Sequence, residues 1–227
     1  MAPTFPIAQP VAQPVVLVSQ DPPVVLKVAD LCFNQPKLAL FTNFQAVVRA
    51  GVTLVQGGEG RGKTTLLRLL AGDLQPQSGR VRVQGIVLAG QPQTLRQDVF
   101  WIDPRSTEFD PISPRAYFEQ QRAVWPDFDL VRLPQLIQGL SLTEFMDKPI
   151  YMLSTGSKRK VWLAAAFASN AAVALLDDPF AALDKPSIRF VTEVLQGFAS
   201  QAARAVVITA YEAPDCLRLA GVIDLGD

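Results

Sequence analysis

The sequence predicts an α/β fold: a mostly parallel sheet covered by helices, with N-terminal antiparallel strands and an inserted helical subdomain. Three observations carry that reading. Val52-Thr53-Leu54-Val55, a glycine-rich loop and Thr64 to Ala71 follow one another as strand, loop and helix. From Ser157 onward, apolar runs alternate with helix-period segments, as in a parallel sheet buried on both faces. Between residues 111 and 155 the pattern is helical throughout, which makes that stretch an insertion between the halves of the sheet. A chain of 227 residues with 49% hydrophobic side chains has the length and the core material for one large domain with a small subdomain.

The elements follow in order. Residues 1–23 carry six prolines (Pro3, Pro6, Pro10, Pro14, Pro22 and Pro23) and no helical period, so they read as a flexible or extended leader, with the folded domain covering 24–227. Val24 to Val28, Leu31 to Phe33 and Phe44 to Val48 read as strands, and Arg80 to Gln84 alternates with period two. Val99 to Ile102 is a buried strand. Ser113-Pro114 opens a helix as cap and first residue, and Trp125-Pro126 closes it. A second helix is predicted over 129–138, with Pro134 inside it, and a short third over 142–146. Ser157 to Phe167 and Ser187 to Ser200 are further helices. Ala172 to Leu176, Val206 to Thr209 and Val222 to Leu225 are the remaining strands.

The loop after the first buried strand is Gly57-Gly58-Glu59-Gly60-Arg61-Gly62-Lys63-Thr64-Thr65. It fits G-x-x-x-x-G-K-[ST], whose backbone N–H groups cradle nucleotide phosphates, and the fold is therefore that of a P-loop nucleotide-binding protein. Strand, loop and helix together place a helix N-terminus at the phosphates, where orphan N–H groups and the macrodipole favour anions. In that geometry Lys63 reaches the β/γ-phosphates and the Thr64 hydroxyl joins a Mg²⁺ shell. Asp177 ends a buried strand at the edge where ligands bind in open α/β sheets, and its carboxylate can hold the same Mg²⁺.

Composition excludes several alternatives. Lys and Arg together balance Asp and Glu for a formal net charge of zero, so no nucleic-acid partner is held by bulk electrostatics. The chain has no histidine, which removes the commonest general base and transition-metal ligand. Cys32 and Cys216 fit no zinc or C-x-x-C spacing and read as buried thiols in a reducing compartment. No run is long enough for a membrane span and the N-terminus is no signal peptide, so a cytoplasmic protein is expected.

Leu153-Ser154-Thr155-Gly156-Ser157-Lys158-Arg159-Lys160 taken alone is a helix start with Ser154 or Thr155 as cap. In this order, however, it resembles the L-S-G-G-Q signature of ATP-binding-cassette (ABC) ATPases. Leu176-Asp177-Asp178-Pro179-Phe180-Ala181-Ala182-Leu183-Asp184 resembles that family's Walker B run and D-loop, and the resemblance covers Val24 to Asp227. It implies the ATPase subunit of an ABC transporter that binds and hydrolyses Mg–ATP. It also implies a head-to-tail dimer, homo- or heteromeric, in which Ser154, Thr155 and Gly156 of one cassette cap the nucleotide held by Lys63 of the other. The helical insertion would meet an integral-membrane permease, placing the chain on the inner face of the cell membrane. Trp125 to Asp129 and the form of the signature are similar to small bacterial exporter ATPases of the drug or polysaccharide type. Asp178-Pro179-Phe180 is similar to the haem-exporter ATPase of cytochrome c maturation.

The chain departs from the family pattern where water is positioned. The catalytic glutamate is replaced by Asp178, one methylene shorter, and a misplacement of ~1 Å can cost ~10²-fold in rate. Ala210 stands where the switch histidine is expected, Asp103 where the Q-loop glutamine is expected, and Phe33 is the nearest aromatic to the adenine-stacking position. Lys63, Thr64 and Asp177 remain, so the resemblance implies a competent binder and a slow hydrolase. A hydrolysis-poor regulatory subunit paired with a competent cassette is the alternative. An ABC-type ATPase unconnected to transport is a third reading.

Overall fold

The computed structural model describes residues 22–35, 38–87, 98–198, 203–211 and 214–226. Nearly all of the expected leader lies outside the described residues. Its last two members belong to the fold: the Pro22 carbonyl accepts from Arg49 at 2.9 Å and the Pro23 carbonyl from the Ala50 N–H at 2.9 Å.

Two sheets form the scaffold. The antiparallel one has the order β2-β1-β4-β5, with β1 Val24–Gln35, β2 Leu38–Arg49, β4 Ser78–Val83 and β5 Ile86–Val87. The two predicted strands 24–28 and 31–33 are one strand interrupted by a register shift between Val28 and Leu31, where Asp30 takes a φ of 52°. Such an insertion bends a strand without ending it. Asp tolerates the left-handed conformation better than most residues, so a local break in apolar alternation concealed a continuous strand.

The second sheet is wholly parallel, in the order β6-β7-β8-β3-β9: β6 Val99–Trp101, β7 Val173–Asp177, β8 Ala205–Thr209, β3 Gly51–Gln56 and β9 Gly221–Asp224. Registers set the positions of the chemistry. Thr209 lies opposite Val55 on one side and Asp177 on the other, so the ends of β3, β8 and β7 form one row. The glycine loop leaves the first of these strands.

Five α-helices are described: α1 Lys63–Leu70, α2 Pro114–Val124, α3 Leu133–Gly139, α4 Thr155–Ala168 and α5 Lys185–Phe198. The α2 helix begins and ends as predicted, its Ser113 cap accepting from the Ala116 N–H at 3.3 Å. The predicted 129–138 helix starts only at Leu133. Asp129 instead folds the chain into a turn, its Oδ1 accepting from the N–H of Val131 at 3.1 Å and of Arg132 at 2.8 Å. Pro134 then falls in the first helical turn, where its missing N–H costs no bond. Thr143–Phe145 and Ile150–Met152 are 3-10 turns, not the short α-helix expected over 142–146. Of the two free thiols, Cys32 is half-buried and Cys216 exposed, which corrects the expectation that both are buried.

The parallel sheet separates two cores. On one face α1 and the antiparallel sheet bury Leu66, Leu67, Leu69, Leu70, Val25 and Leu26. On the other, α4 and α5 pack with the helical insertion, and Val161 to Ala168 are buried without interruption. A helix apolar on all sides belongs at the centre of its layer. Leu67 is fully buried in the core between α1 and the sheets. Leu67→Ala is expected to lower the unfolding free energy by about 2–5 kcal/mol, measured by urea denaturation.

Candidate functional site

The glycine loop bends into α1 through Gly62, which caps the helix at φ 91°. A side chain there would be strained by that φ, and a Cβ would lie 3.2 Å from the Phe41 ring of β2. Lys63 folds back over the loop, its Nζ donating to the carbonyls of Gly57 at 2.6 Å and Gly58 at 2.8 Å. The ammonium is thereby held inside the loop's curve. Gly58 spends its own N–H on the Gly226 carbonyl at 2.9 Å, which ties the loop to the strand end beyond β9. Glu59, Gly60 and Arg61 are exposed, and Thr65 is half-buried in the first turn of α1.

Thr64 and Asp177 are far apart in sequence and meet directly: the Thr64 hydroxyl donates to Asp177 Oδ2 at 2.8 Å. The other carboxylate oxygen, Oδ1, accepts from the Thr209 hydroxyl at 2.6 Å. That same Thr209 oxygen accepts from the Asp178 N–H at 2.9 Å. Thr209 thus fixes both acidic residues from the neighbouring strand end. Its part in the site was missed in the sequence, although a polar residue ending an otherwise apolar strand, like Asp177, is the available signal. Asp178 itself is exposed at a φ of 48°, a conformation aspartate tolerates better than most side chains.

The donor set fits a hard divalent cation. A hydroxyl and a carboxylate converge within hydrogen-bond distance at the N-terminus of α1, where orphan N–H groups favour anions. Mg²⁺ is ordinarily held by one or two such protein oxygens, with phosphates and water completing its shell.

The signature segment begins α4. Ser154, not Thr155, is the cap: its Oγ accepts from the Ser157 N–H at 3.1 Å. Ser154 and Thr155 are exposed, while Gly156 is buried against the backbone of Ala182. Among the described residues, no hydrogen bond or ion pair joins these three residues to the phosphate loop. The stretch from Asp178 to Asp184 is instead fastened to α4. Arg159 donates to the Ala181 carbonyl, and Lys160 Nζ meets Asp184 Oδ2 at 2.6 Å. On the other side Lys158 pairs with Asp110 at 2.5 Å, joining α4 to the loop before α2.

The departures are placed as follows. Ala210 is buried just beyond β8, beside the Thr209 that holds Asp177. Asp103 closes a turn after β6, its Oδ1 accepting from the Arg105 N–H at 2.8 Å. Phe33 is half-buried, pairs with Phe41 across the β1–β2 ladder and packs against the core beneath α1.

The family model described as ABC transporter matches residues 43–181. The cytochrome c biogenesis ATP-binding export protein CcmA of Pseudomonas fluorescens is 32% identical over 188 residues, covering 82% of this chain and 89% of that relative. A solved ATP-binding subunit of an ABC transporter shares the fold, with a TM-score of 0.73, 22% identity and coverage of 82% of this chain and 79% of that one. A dimeric post-hydrolysis state of an ATP-binding cassette bound to ADP and Pi aligns with a TM-score of 0.70 at 17% identity, over 82% of this chain and 88% of that one.

The contact of Gly156 with the loop yields a stability prediction. A Cβ on Gly156 would lie 2.2 Å from the Ala182 carbonyl oxygen, so Gly156→Ala must push the two backbones apart and is expected to cost about 1–3 kcal/mol in chemical denaturation. The Lys160–Asp184 pair yields another. The Lys160 ammonium first, and hydrogen bonds from Ser187 second, hold the Asp184 carboxyl well below the usual carboxylate range. The folded state therefore binds this proton less readily than the unfolded chain, whose aspartate titrates near ~3.9. The pair's contribution is fully present above that pH and is lost as pH falls through the folded pKa. Asp184→Asn, which keeps the cap on Ser187, is expected to lower Tm at pH 7 and to make progressively less difference below about pH 4.

Proposed function

The chain belongs to the ABC transporter family of ATP-binding proteins, and from that premise we propose that it holds Mg–ATP between its phosphate loop and Asp177 to power a membrane exporter. ATP binding and ATPase activity come with the family. The observation that carries the finer reading is the hydrogen-bonded row Thr64–Asp177–Thr209, which brings the helix N-terminus and the ends of β7 and β8 to one point.

Each residue has a role in this reading. Loop N–H groups and the Lys63 ammonium receive the β- and γ-phosphates, the phosphate replacing the carbonyls of Gly57 and Gly58 as the partner of Lys63. Thr64 and Asp177 hold Mg²⁺, which supplies neutralisation of charge on the phosphate oxygens. Asp178, beside the metal carboxylate and open to solvent, orients the attacking water and accepts its proton. Ala210 contributes no polar group to that water, so turnover is slow.

The exposed Ser154 and Thr155, with the Gly156 N–H, cap the nucleotide of a second cassette across a two-fold interface. Among the described residues no helix is long and apolar enough to cross a membrane. As the ATPase subunit of a transporter, the chain reaches the membrane through a permease. The groove between the end of β6 and the helical insertion, walled by Trp101, Asp103, Glu108, Tyr117 and Trp125, is the surface we assign to it. Likeness to the cytochrome c biogenesis relatives favours an export system of that kind.

Steady-state ATP hydrolysis tests the reading. The wild-type chain with Mg²⁺ is expected to turn over slowly, Lys63→Ala to abolish turnover, and Asp178→Glu to raise it by up to ~10²-fold if the missing methylene is the defect. Nucleotide binding lost in Lys63→Ala with no turnover in wild type would favour the regulatory subunit. Hydrolysis unchanged in Lys63→Ala would refute the site.

A further inference from the structure

Strand β8 sends its side chains alternately to the two faces of the parallel sheet. Ala205 and Val207 are buried in the core on the α1 face, whereas Val206, Ile208 and Ala210 are buried in the core on the other. Thr209 belongs with the first set. Its hydroxyl meets Asp177 Oδ1 at 2.6 Å, while Thr64 of α1 holds the other carboxylate oxygen at 2.8 Å. The next position of that set is Tyr211. The ladder still holds the chain just before it, since the Ala210 N–H donates to the Val55 carbonyl at 3.4 Å. The same alternation therefore carries Tyr211 to the α1 side of the sheet edge.

Register fixes its neighbours. Thr209 pairs with Val55 on one side and Asp177 on the other, so Tyr211 is two residues past this row, as Gly57 and Pro179 are on the adjacent strands. Adjacent strands run about 4.8 Å apart. Gly57 begins the glycine loop, and its carbonyl receives Lys63 Nζ at 2.6 Å. Tyr211 thus leaves the sheet between the strand that feeds the loop and the strand that ends at Asp177 and Asp178. Around it, side-chain donors are spent within the chain: Thr64 and Thr209 on Asp177, Gln56 on Asp224. The Tyr211 hydroxyl has no partner among the described residues, and the side chain is 82% exposed.

We infer that the Tyr211 hydroxyl donates to a γ-phosphate oxygen of the bound nucleotide, so that the end of β8 distinguishes a nucleoside triphosphate from a diphosphate. This rests on the proposed nucleotide site. With the β-phosphate in the loop, the terminal phosphate extends past the strand ends toward Asp178. Loop N–H groups and Lys63 approach it from the β3 side and the Mg²⁺ from the β7 side. A phenol, a neutral donor with a long rigid reach, meets it from β8 between them. Ala210 has no polar group and faces the opposite core, so the contact falls to the residue after it. The attacking water is still left to Asp178.

The test uses the full chain with Mg²⁺ and two probes, ADP and the non-hydrolysable β,γ-imido analogue of ATP, each titrated by calorimetry. Tyr211→Phe is expected to weaken the analogue on the order of tenfold and to leave ADP unchanged, as loss of one hydrogen bond to a charged group predicts. Unchanged affinity for both probes in Tyr211→Phe overturns the inference. So does an equal loss for both, which would place the hydroxyl away from the terminal phosphate. If Tyr211→Phe matches wild type and only Tyr211→Ala loses the analogue, the ring acts by packing and the hydroxyl contact is refuted. A wild-type chain that binds neither probe, with Lys63→Ala no different from it, removes the proposed nucleotide site itself and this contact with it.

Discussion

The structure depends on one carboxylate shared between two threonine hydroxyls. Asp177 is held by Thr64 from the start of α1 and by Thr209 from the end of β8, and each contact comes from a different element. Because hydrogen bonds to the ionised carboxylate are charge-assisted, they fix its plane more firmly than neutral pairs would. The glycine loop, Asp177 and Asp178 are therefore set by the register of three parallel strands. A slip of one residue in β8 would turn Thr209 to the other face and release both aspartates.

The N-terminal turns of the signature helix are fastened to the segment after this row by three contacts. Gly156 lets Ala182 approach, Arg159 takes the Ala181 carbonyl, and Lys160 takes Asp184. The loop between Asp178 and Asp184 includes two non-glycine residues at positive φ, Asp178 and Ala182. Such conformations persist only where surrounding contacts impose them. Asp178 and the start of α4 are thus joined by a short, constrained segment. In the proposed function this segment is the route by which pairing with a second cassette acts on Asp178.

Much of this was legible in the sequence. The glycine loop announces itself because its residue types are fixed by local backbone needs, and Asp177 is found because it ends an apolar run. The α2 helix was read to its ends because Ser113, Pro114 and Pro126 are local signals. What escaped is non-local. Nothing near Thr209 in the chain reveals that Asp177 and Asp178 are its partners, and the fastening of Arg159, Lys158 and Lys160 depends on segments that only the fold brings near. The late start of α3 has a different cause: Asp129 satisfies two N–H groups in a turn, an option that competes with the helix its apolar spacing suggested. The bulge in β1 escaped because the inserted residue breaks the apolar alternation and so reads as a strand end.

The central claim is that Asp177, held by Thr64 and Thr209, is where metal and nucleotide meet. Calorimetric titration of ADP with and without Mg²⁺, on wild type and Asp177→Asn, addresses it most directly, because asparagine keeps the shape and an acceptor for the threonines. The account predicts that Mg²⁺ tightens ADP binding in wild type and that Asp177→Asn loses that enhancement while retaining its Mg²⁺-free affinity. An Asp177→Asn chain with the full wild-type response to Mg²⁺ would contradict it.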